Sequence, residues 1–365
     1  MHAEPQNVDP SAQRRLAAMI GGYCLSQAVY VAAKLGIAER LHRDGPQDAG
    51  QLARAVGAHA SSLHRLMRTL ASLGILTQDD AGRFALTELG HLLRPDAANS
   101  LWAMAMTVGE THYPAFAELH RCVKSGECGF DAAFGVSFFE HFKYNEQAAQ
   151  YFDRAMAQTR AQATADVLDT CDFSEVRTVV DVGGGTGDLL TKVLAKYPAM
   201  RGVLFDLPHV VEKARERLDQ DKRHDRLTML GGDFFCGVPP HRDLYVLRHI
   251  LHDWDDDRSL RILTNCRRAM KPGTRLLLVE SIVHPGNEPS PAKVLDLVML
   301  AMTGGMERTE SQYRELLSAA GFTITQIKPA GEFHLIEAQP AELRHKSDGS
   351  EHERYQQQPA AAAAD

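Results

Sequence analysis

Thr178-Val-Val-Asp-Val-Gly-Gly-Gly-Thr-Gly187 is the stretch on which the reading of this chain turns. Val179, Val180 and Val182 form a β-branched run suited to a buried strand, and the glycines after it suit a tight turn into a helix. One helix later comes a second short strand, Gly202-Val-Leu-Phe-Asp206, which ends on a carboxylate. Together these features describe a pocket for a nucleoside cofactor.

From about Asp172 onward, strands and helices alternate. Strands are expected at 177–182, 201–206, 226–230, 243–248, 274–283, 322–328 and 333–338, and helices at 187–197, 208–218, 256–270, 291–302 and 309–320. The alternation specifies an α/β fold, a Rossmann-like, mostly parallel, doubly wound sheet. In such sheets ligands lie at the carboxyl ends of the strands.

Acids at those ends discriminate between nucleosides. A dinucleotide fingerprint needs G-x-G-x-x-G, but the third position here is Asp188, whose carboxylate would repel a pyrophosphate at the helix N-terminus. S-adenosylmethionine carries no phosphate. Its ribose needs an acceptor for two hydroxyls, and Asp206 follows Gly185 by roughly the 20 residues expected of a ribose-reading acid. Gly231-Gly-Asp233 offers an acceptor for the adenine amine, and Phe234 a ring to stack on it. Backbone groups around Gly183 to Gly187 can meet the methionine ammonium and carboxylate. The plainer alternatives are a turn that is only tight and an Asp206 that only caps the next helix.

Ahead of this domain, residues 11–95 are expected to be helical with one short hairpin. Leu63, Leu66, Met67, Leu70 and Leu73 fall on one helical face, Gly74 ends that helix, and Ile75–Thr77 and Arg83–Leu86 flank a polar turn. With Gln51–Val56 before it, this reads as a winged helix-turn-helix. DNA contact through Arg65 and Arg68 is the usual role of such a unit, but a packing or dimerisation module suits an acidic chain better. Residues 96–170 read as a helical linker whose Leu101–Met106 and Ala132–Phe139 segments could line an apolar substrate site or simply pack. The ends, 1–10 and 341–365, lack an apolar period and are expected to be disordered.

The 365 residues suffice for two cores, and a formal charge of −7 argues against nucleic acid as a partner. On this reading no apolar run approaches the roughly 20 residues of a membrane span and the N-terminus lacks a signal-peptide layout, so a cytoplasmic location without membrane contact is expected. The six cysteines form no C-x-x-C pair, which suits reduced thiols and no metal site. The acids Asp253 and Asp255–Asp257 are expected to cap a helix rather than hold magnesium.

The fourth strand of this domain leads into Arg248-His-Ile-Leu-His-Asp-Trp254, where chemistry belongs in such a sheet. His252 is the candidate general base, taking a proton from an acceptor hydroxyl during attack on the sulfonium methyl. Ordinary values of about 6.5 for imidazole and 10 for a phenol would make full prior transfer cost roughly 5 kcal/mol. A carboxylate on the other ring nitrogen would lower that cost. Glu280, closing the apolar strand Leu276–Glu280, and Glu307, in Gly304-Gly-Met-Glu-Arg-Thr309, are the candidates for it.

VVDVGGGTG, FDLPHVV, GGDFF, LHDW and GGMERT stand in the order seen in class I S-adenosylmethionine-dependent O-methyltransferases. The chain resembles that family over about residues 11–340, most nearly its caffeic-acid, acetylserotonin and bacterial natural-product group. The resemblance implies a homodimer through an intertwined winged-helix domain, and a catalytic domain over 171–340 with a seven-stranded sheet ending in an antiparallel hairpin. It places S-adenosylmethionine against Gly183, Gly185, Asp206, Asp233 and Phe234, with Asp181, Leu207 and Arg248 beside them, and assigns His252, Glu280 and Glu307 to catalysis. The reaction it implies is methylation of a hydroxyl on an aromatic or polyketide-like small molecule without a metal. N-methylation, a non-methylating reaction on the same fold, and a winged-helix regulator are the alternatives.

Overall fold

The computed structural model describes residues 10–218 and 224–342. Most of the two segments expected to be disordered therefore lies outside the described residues.

Helices Ala49–Val56 and Ala60–Ser72 form the helix-turn-helix, followed by the hairpin β1 (Leu76–Gln78) and β2 (Phe84–Leu86). Asp48 starts the first helix with a capping box: its carboxylate accepts from Gln51 N at 2.8 Å, while Gln51 Oε1 accepts from Asp48 N at 3.0 Å. Leu63, Met67 and Leu70 are buried on the expected face, with Leu66 and Leu73 at its edge. Phe84 is fully buried against them, which pins the hairpin to the helices.

One expectation is corrected here. Pro10–Lys34, comprising helices Pro10–Ile20 and Gly22–Lys34, is a helical stretch long and apolar enough to cross a membrane by length and composition. The segment from Leu16 to Ala33 carries no charged residue, against the expectation of no apolar run of that length. Leu16, Met19, Ile20 and Tyr23 stand 59, 70, 68 and 58% exposed, so this apolar face has no cover within the described chain.

The second domain is built on seven strands: β3 (Thr178–Val182), β4 (Arg201–Asp206), β5 (Leu227–Gly231), β6 (Leu244–Arg248), β7 (Arg275–Glu280), β8 (Phe322–Ala330) and β9 (Phe333–Pro340). Their order in the sheet is β5-β4-β3-β6-β7-β9-β8. The first five run parallel, and β9 is antiparallel to both β7 and β8. Period-two alternation feeds two cores. Val180 and Val182 join helices Asp256–Ala269 and Glu310–Ala319 on one face, whereas Val179 joins helix Asp188–Lys196 on the other. The chain order reverses between β3 and β6, so the crevice of this fold opens beyond Val182 and Arg248.

The strand expected over 274–283 is shorter than expected. It ends at Glu280, and Ile282 instead makes a lone parallel bridge to Arg308. That bridge draws the segment around Glu307 toward the end of β6.

Candidate active site

At the end of β3 the backbone enters the left-handed region at Gly183, with φ of +70°, and a Cβ there would stand 2.4 Å from Ile250 Cδ1. Only glycine lets the turn lie this close to the end of β6. Asp181 is buried beneath the turn, its carboxyl carbon 2.8 Å from where a Gly184 Cβ would sit. Asp206 reaches over from β4: its Oδ2 accepts from Gly185 N at 2.8 Å and its Oδ1 from Leu207 N at 2.7 Å. Asp206 thus orders the glycine turn and keeps both carboxylate oxygens at the strand end, and Leu207 remains 37% exposed beside it.

At the end of β5, Asp233 Oδ1 accepts from Phe235 N at 2.8 Å, folding Gly231–Phe235 into a compact loop. Asn265, on the helix after the catalytic segment, clamps this loop by donating to Phe234 O at 2.9 Å and Phe235 O at 3.0 Å. Phe234 lies beside Gly183, its Cε1 3.7 Å from the position of a Cβ there. Arg248, 8% exposed, donates to Thr164 Oγ1 at 2.6 Å, and Thr164 donates to Asp188 Oδ2 at 3.0 Å. This relay ties the long helix Glu146–Thr170 to the ends of β3 and β6.

Beyond β6 the chain turns sharply. His249 has a φ of +53°, a strained value for a residue with a side chain, and its ring packs edge-on against Phe333 with centroids 4.3 Å apart. Glu280, fully buried, accepts from Ile250 N at 3.1 Å and Leu251 N at 2.9 Å through Oε1. His252 then points Nδ1 at Glu307 Oε1, 2.8 Å away, and its Nε2 lies 3.8 Å from Asp253 Oδ1. The two acids put forward for His252 therefore do different jobs: Glu307 holds the ring and Glu280 holds the backbone beneath it.

The loop carrying Glu307 docks by backbone contact. Met306 N donates to His252 O at 2.9 Å, and a Cβ on Gly305 would stand 2.1 Å from that same oxygen. Arg308, fully buried, donates to Leu251 O and Trp254 O at 2.9 Å each and pairs with Asp256 at 2.8 Å. Glu307 N donates to Asp296 Oδ1 at 2.9 Å.

Electrostatics follow from this packing. Burial works against a charge on His252, but the carboxylates of Asp253, Glu307 and Glu280 outweigh it and push the ring up to about 10. Burial is the main cause that lifts Glu280 to about 7, with the His252 charge opposing it and the Glu307 charge adding to it.

A cavity of about 480 Å³ adjoins this cluster, lined among others by Phe139, Asp233, Phe235, Asp253 and Trp254. The Phe139 and Trp254 rings lie 5.9 Å apart and nearly parallel. The Ala132–Phe139 segment thus reaches the cavity, as one reading of it anticipated. Leu101–Met106 does not line it, and Ala103 and Met106 are buried in packing. Asp253 and Trp254 enter the sequence reading as part of the LHDW segment, without a site role of their own, and Thr164, Asn265 and Arg308 have no assigned role there. The LHDW motif is the available signal for Asp253 and Trp254 and the GGMERT motif for Arg308, whereas Thr164 and Asn265 carry none in the sequence.

Glycine-only backbone at β3, a carboxylate at the end of β4, an acid and an aromatic ring after β5, and a buried histidine after β6 define a nucleoside-dependent transferase site of the methyltransferase kind. Residues 116–323 match the O-methyltransferase domain, and residues 17–96 the O-methyltransferase dimerisation domain. Phenazine O-methyltransferase PhzM of Lysobacter antibioticus is 42% identical over 323 residues, covering 88% of this chain and 94% of that protein. Phenazine-1-carboxylate N-methyltransferase of Pseudomonas aeruginosa is 35% identical, covering 88% and 95%. The crystal structure of human N-acetylserotonin methyltransferase in complex with SAM aligns with a TM-score of 0.81 at 29% identity, over 93% of this chain and 100% of that one. The chain belongs to the S-adenosylmethionine-dependent O-methyltransferase family with an N-terminal dimerisation domain.

The residues present fit S-adenosylmethionine. The β3 turn leaves space that a Cβ would fill, Asp206 is presented at the neighbouring strand end, and Asp233 lines the cavity beside the His252 turn.

Proposed function

We propose that this enzyme transfers the methyl group of S-adenosylmethionine to a hydroxyl of an aromatic or polyketide-like small molecule, with His252 as general base. The observation that carries the reading is the 2.8 Å contact between His252 Nδ1 and Glu307 Oε1, which leaves Nε2 to receive a proton. Gly183, Gly185, Asp181, Asp206, Leu207, Asp233, Phe234 and Arg248 hold the cofactor, whose chemistry when bound is an electrophilic methyl on a sulfonium.

The carboxylates around His252 change the acid–base balance. Pushed up to about 10, the imidazole closes the roughly 5 kcal/mol gap to a phenol, but at neutral pH it then holds a proton on Nε2, so the base acts from the fraction that has released it. Glu307 fixes the proton on Nδ1 and stabilises the imidazolium once Nε2 is protonated. Glu280 keeps Ile250 and Leu251 from drifting, so that Nε2 stays aimed at the acceptor. No step is assigned to a metal.

The dimerisation domain supplies the quaternary reading: the exposed apolar face around Leu16, Met19 and Ile20 is covered by a second copy, and the enzyme works as a cytoplasmic homodimer. Boundaries follow the sequence reading, with a dimerisation domain over 11–95, a helical pocket-forming linker over 96–170 and a catalytic domain over 171–340.

The test is a panel of hydroxylated aromatics, hydroxyphenazines among them, scored by S-adenosylhomocysteine release with wild type and His252→Ala. A loss of about 10²–10⁴ in kcat supports the base, and a loss within about threefold removes it. Nitrogen acceptors are a second reading, favoured by the N-methyltransferase relative. An amine has a lone pair without deprotonation, so insensitivity to His252→Ala with an amine acceptor would select it.

A further inference from the structure

The Nδ1–Glu307 contact orients His252, and Glu280 Oε1 caps two amides, but these roles leave two features unused. Glu280 Oε2 is buried and has no hydrogen-bond partner, and the strained His249 brings a second imidazole to the same place. The His249 and His252 rings have centroids 5.6 Å apart. One ring nitrogen from each and a Glu280 carboxylate oxygen all lie within 4.8 Å of one another.

We propose that His249, His252 and Glu280 form a binding site for a divalent cation of the zinc class, and that its occupation switches methyl transfer off. Two imidazoles and one carboxylate suit zinc, cobalt or nickel, whereas magnesium and calcium want oxygen alone. Glu307 holds Nδ1 as a carboxylate usually holds the far nitrogen of a metal-ligating histidine, and it leaves Nε2 as the ligand atom. A cation would also satisfy the buried Oε2, which costs free energy while it has no partner. Ligands around tetrahedral zinc stand roughly 3.4 Å apart, so binding draws the three atoms inward through side-chain rotation. His249, on a turn and only partly buried, is the one best placed to move. Binding releases the Nε2 proton to solvent, and the cation then occupies the lone pair that would take the acceptor proton. The inhibitory half of the proposal rests on His252 being the base, and the binding half does not.

The experiment uses the full chain freed of metal with EDTA and titrated separately with Zn²⁺, Co²⁺ and Mg²⁺. The comparison variant is His249→Asn, since asparagine tolerates positive φ, with His249→Gly as a second. Wild type should take up a zinc equivalent and show cobalt absorption bands that both variants lack, with no response to Mg²⁺. Zinc at that level should slow wild-type methyl transfer by about 10²-fold, reversibly with EDTA, and leave the variants at their metal-free rates. Metal-free turnover by the variants at the wild-type rate reports that they fold. Equal zinc uptake by wild type and both variants would overturn the site, as would equal binding of Mg²⁺. Uptake that differs while the wild-type rate is unmoved would overturn the switch. If His252→Ala loses zinc uptake yet still turns over, the base assignment fails while the cation site stands.

Discussion

His252 Nδ1 and Glu307 Oε1 meet at 2.8 Å although 55 positions separate the two residues in the chain. The contact exists because Gly305 lets its loop press onto the His252 carbonyl and because Arg308 threads behind to grip Leu251 O and Trp254 O. Glu280 reaches the same turn from the end of β7 and binds its backbone. Three segments far apart in sequence therefore position a single imidazole.

Glu307→Gln removes one of the carboxylates that raise His252. The acid limb of the pH profile of kcat/KM should move to lower pH, while kcat falls by about ten- to a hundredfold. Steady-state rates between pH 5 and 10 check this, and an unmoved limb would show that Glu307 does not act through the ring.

Stability should decline from neutral to alkaline pH. His252 is raised in the fold to about 10, so its contribution is complete below its ordinary 6.5 and is lost as pH climbs through 10. Glu280, raised from 4.5 to about 7, contributes in the same sense, fully below 4.5 and no longer above 7. Urea unfolding at pH 6, 8 and 10 measures the trend, and His252→Gln should flatten the part between pH 8 and 10. A wild type equally stable at pH 6 and 10 would contradict it.

Gly305→Ala tests the loop. The added methyl would lie 2.1 Å from His252 O and 2.5 Å from Asp253 C, both backbone atoms that cannot step aside. Glu307 must then retreat, and a misplacement of about 1 Å is expected to cost roughly 10²-fold in kcat. Retained circular dichroism with a wild-type rate would show that the loop tolerates the displacement.

Asp206→Ala should weaken S-adenosylmethionine by about tenfold or more, with kcat at saturating cofactor within a few fold. Since Asp206 also accepts from Gly185 N and Leu207 N, Asp206→Asn, which keeps one acceptor oxygen, should be milder. Calorimetric titration of cofactor separates the two variants, and unchanged affinity in Asp206→Ala would dismiss the ribose role.

Apart from 274–283, drawn too long, the strands were legible within one or two residues because each is a short run rich in apolar or β-branched residues between turn residues. The early end of 274–283 at Glu280 depends on Ile282 pairing with Arg308, a partner 26 positions on that no local pattern announces. The glycine turn, Asp206 and Asp233 were readable because spacing along successive strands carries them to one sheet end. Thr164 and Asn265 were not, since a threonine or asparagine on a helix looks the same whether it faces water or a buried partner, and the GGMERT motif marks Arg308 without saying which carbonyls it grips. The uncharged segment from Leu16 to Ala33 is likewise legible in the sequence as long and apolar enough for a span.

Read alone, the order of residues specified the parallel sheet, the nucleoside-binding strand ends and the histidine offered beyond β6, because periodicity and turn chemistry are local. Which carboxylate meets that histidine, which one holds its backbone, and that His249 stands beside it with Glu280 Oε2 facing no partner were settled only by the fold. Those facts depend on side-chain direction and on loops meeting across the sheet edge. Packing between distant segments sets them, and sequence spacing does not encode it.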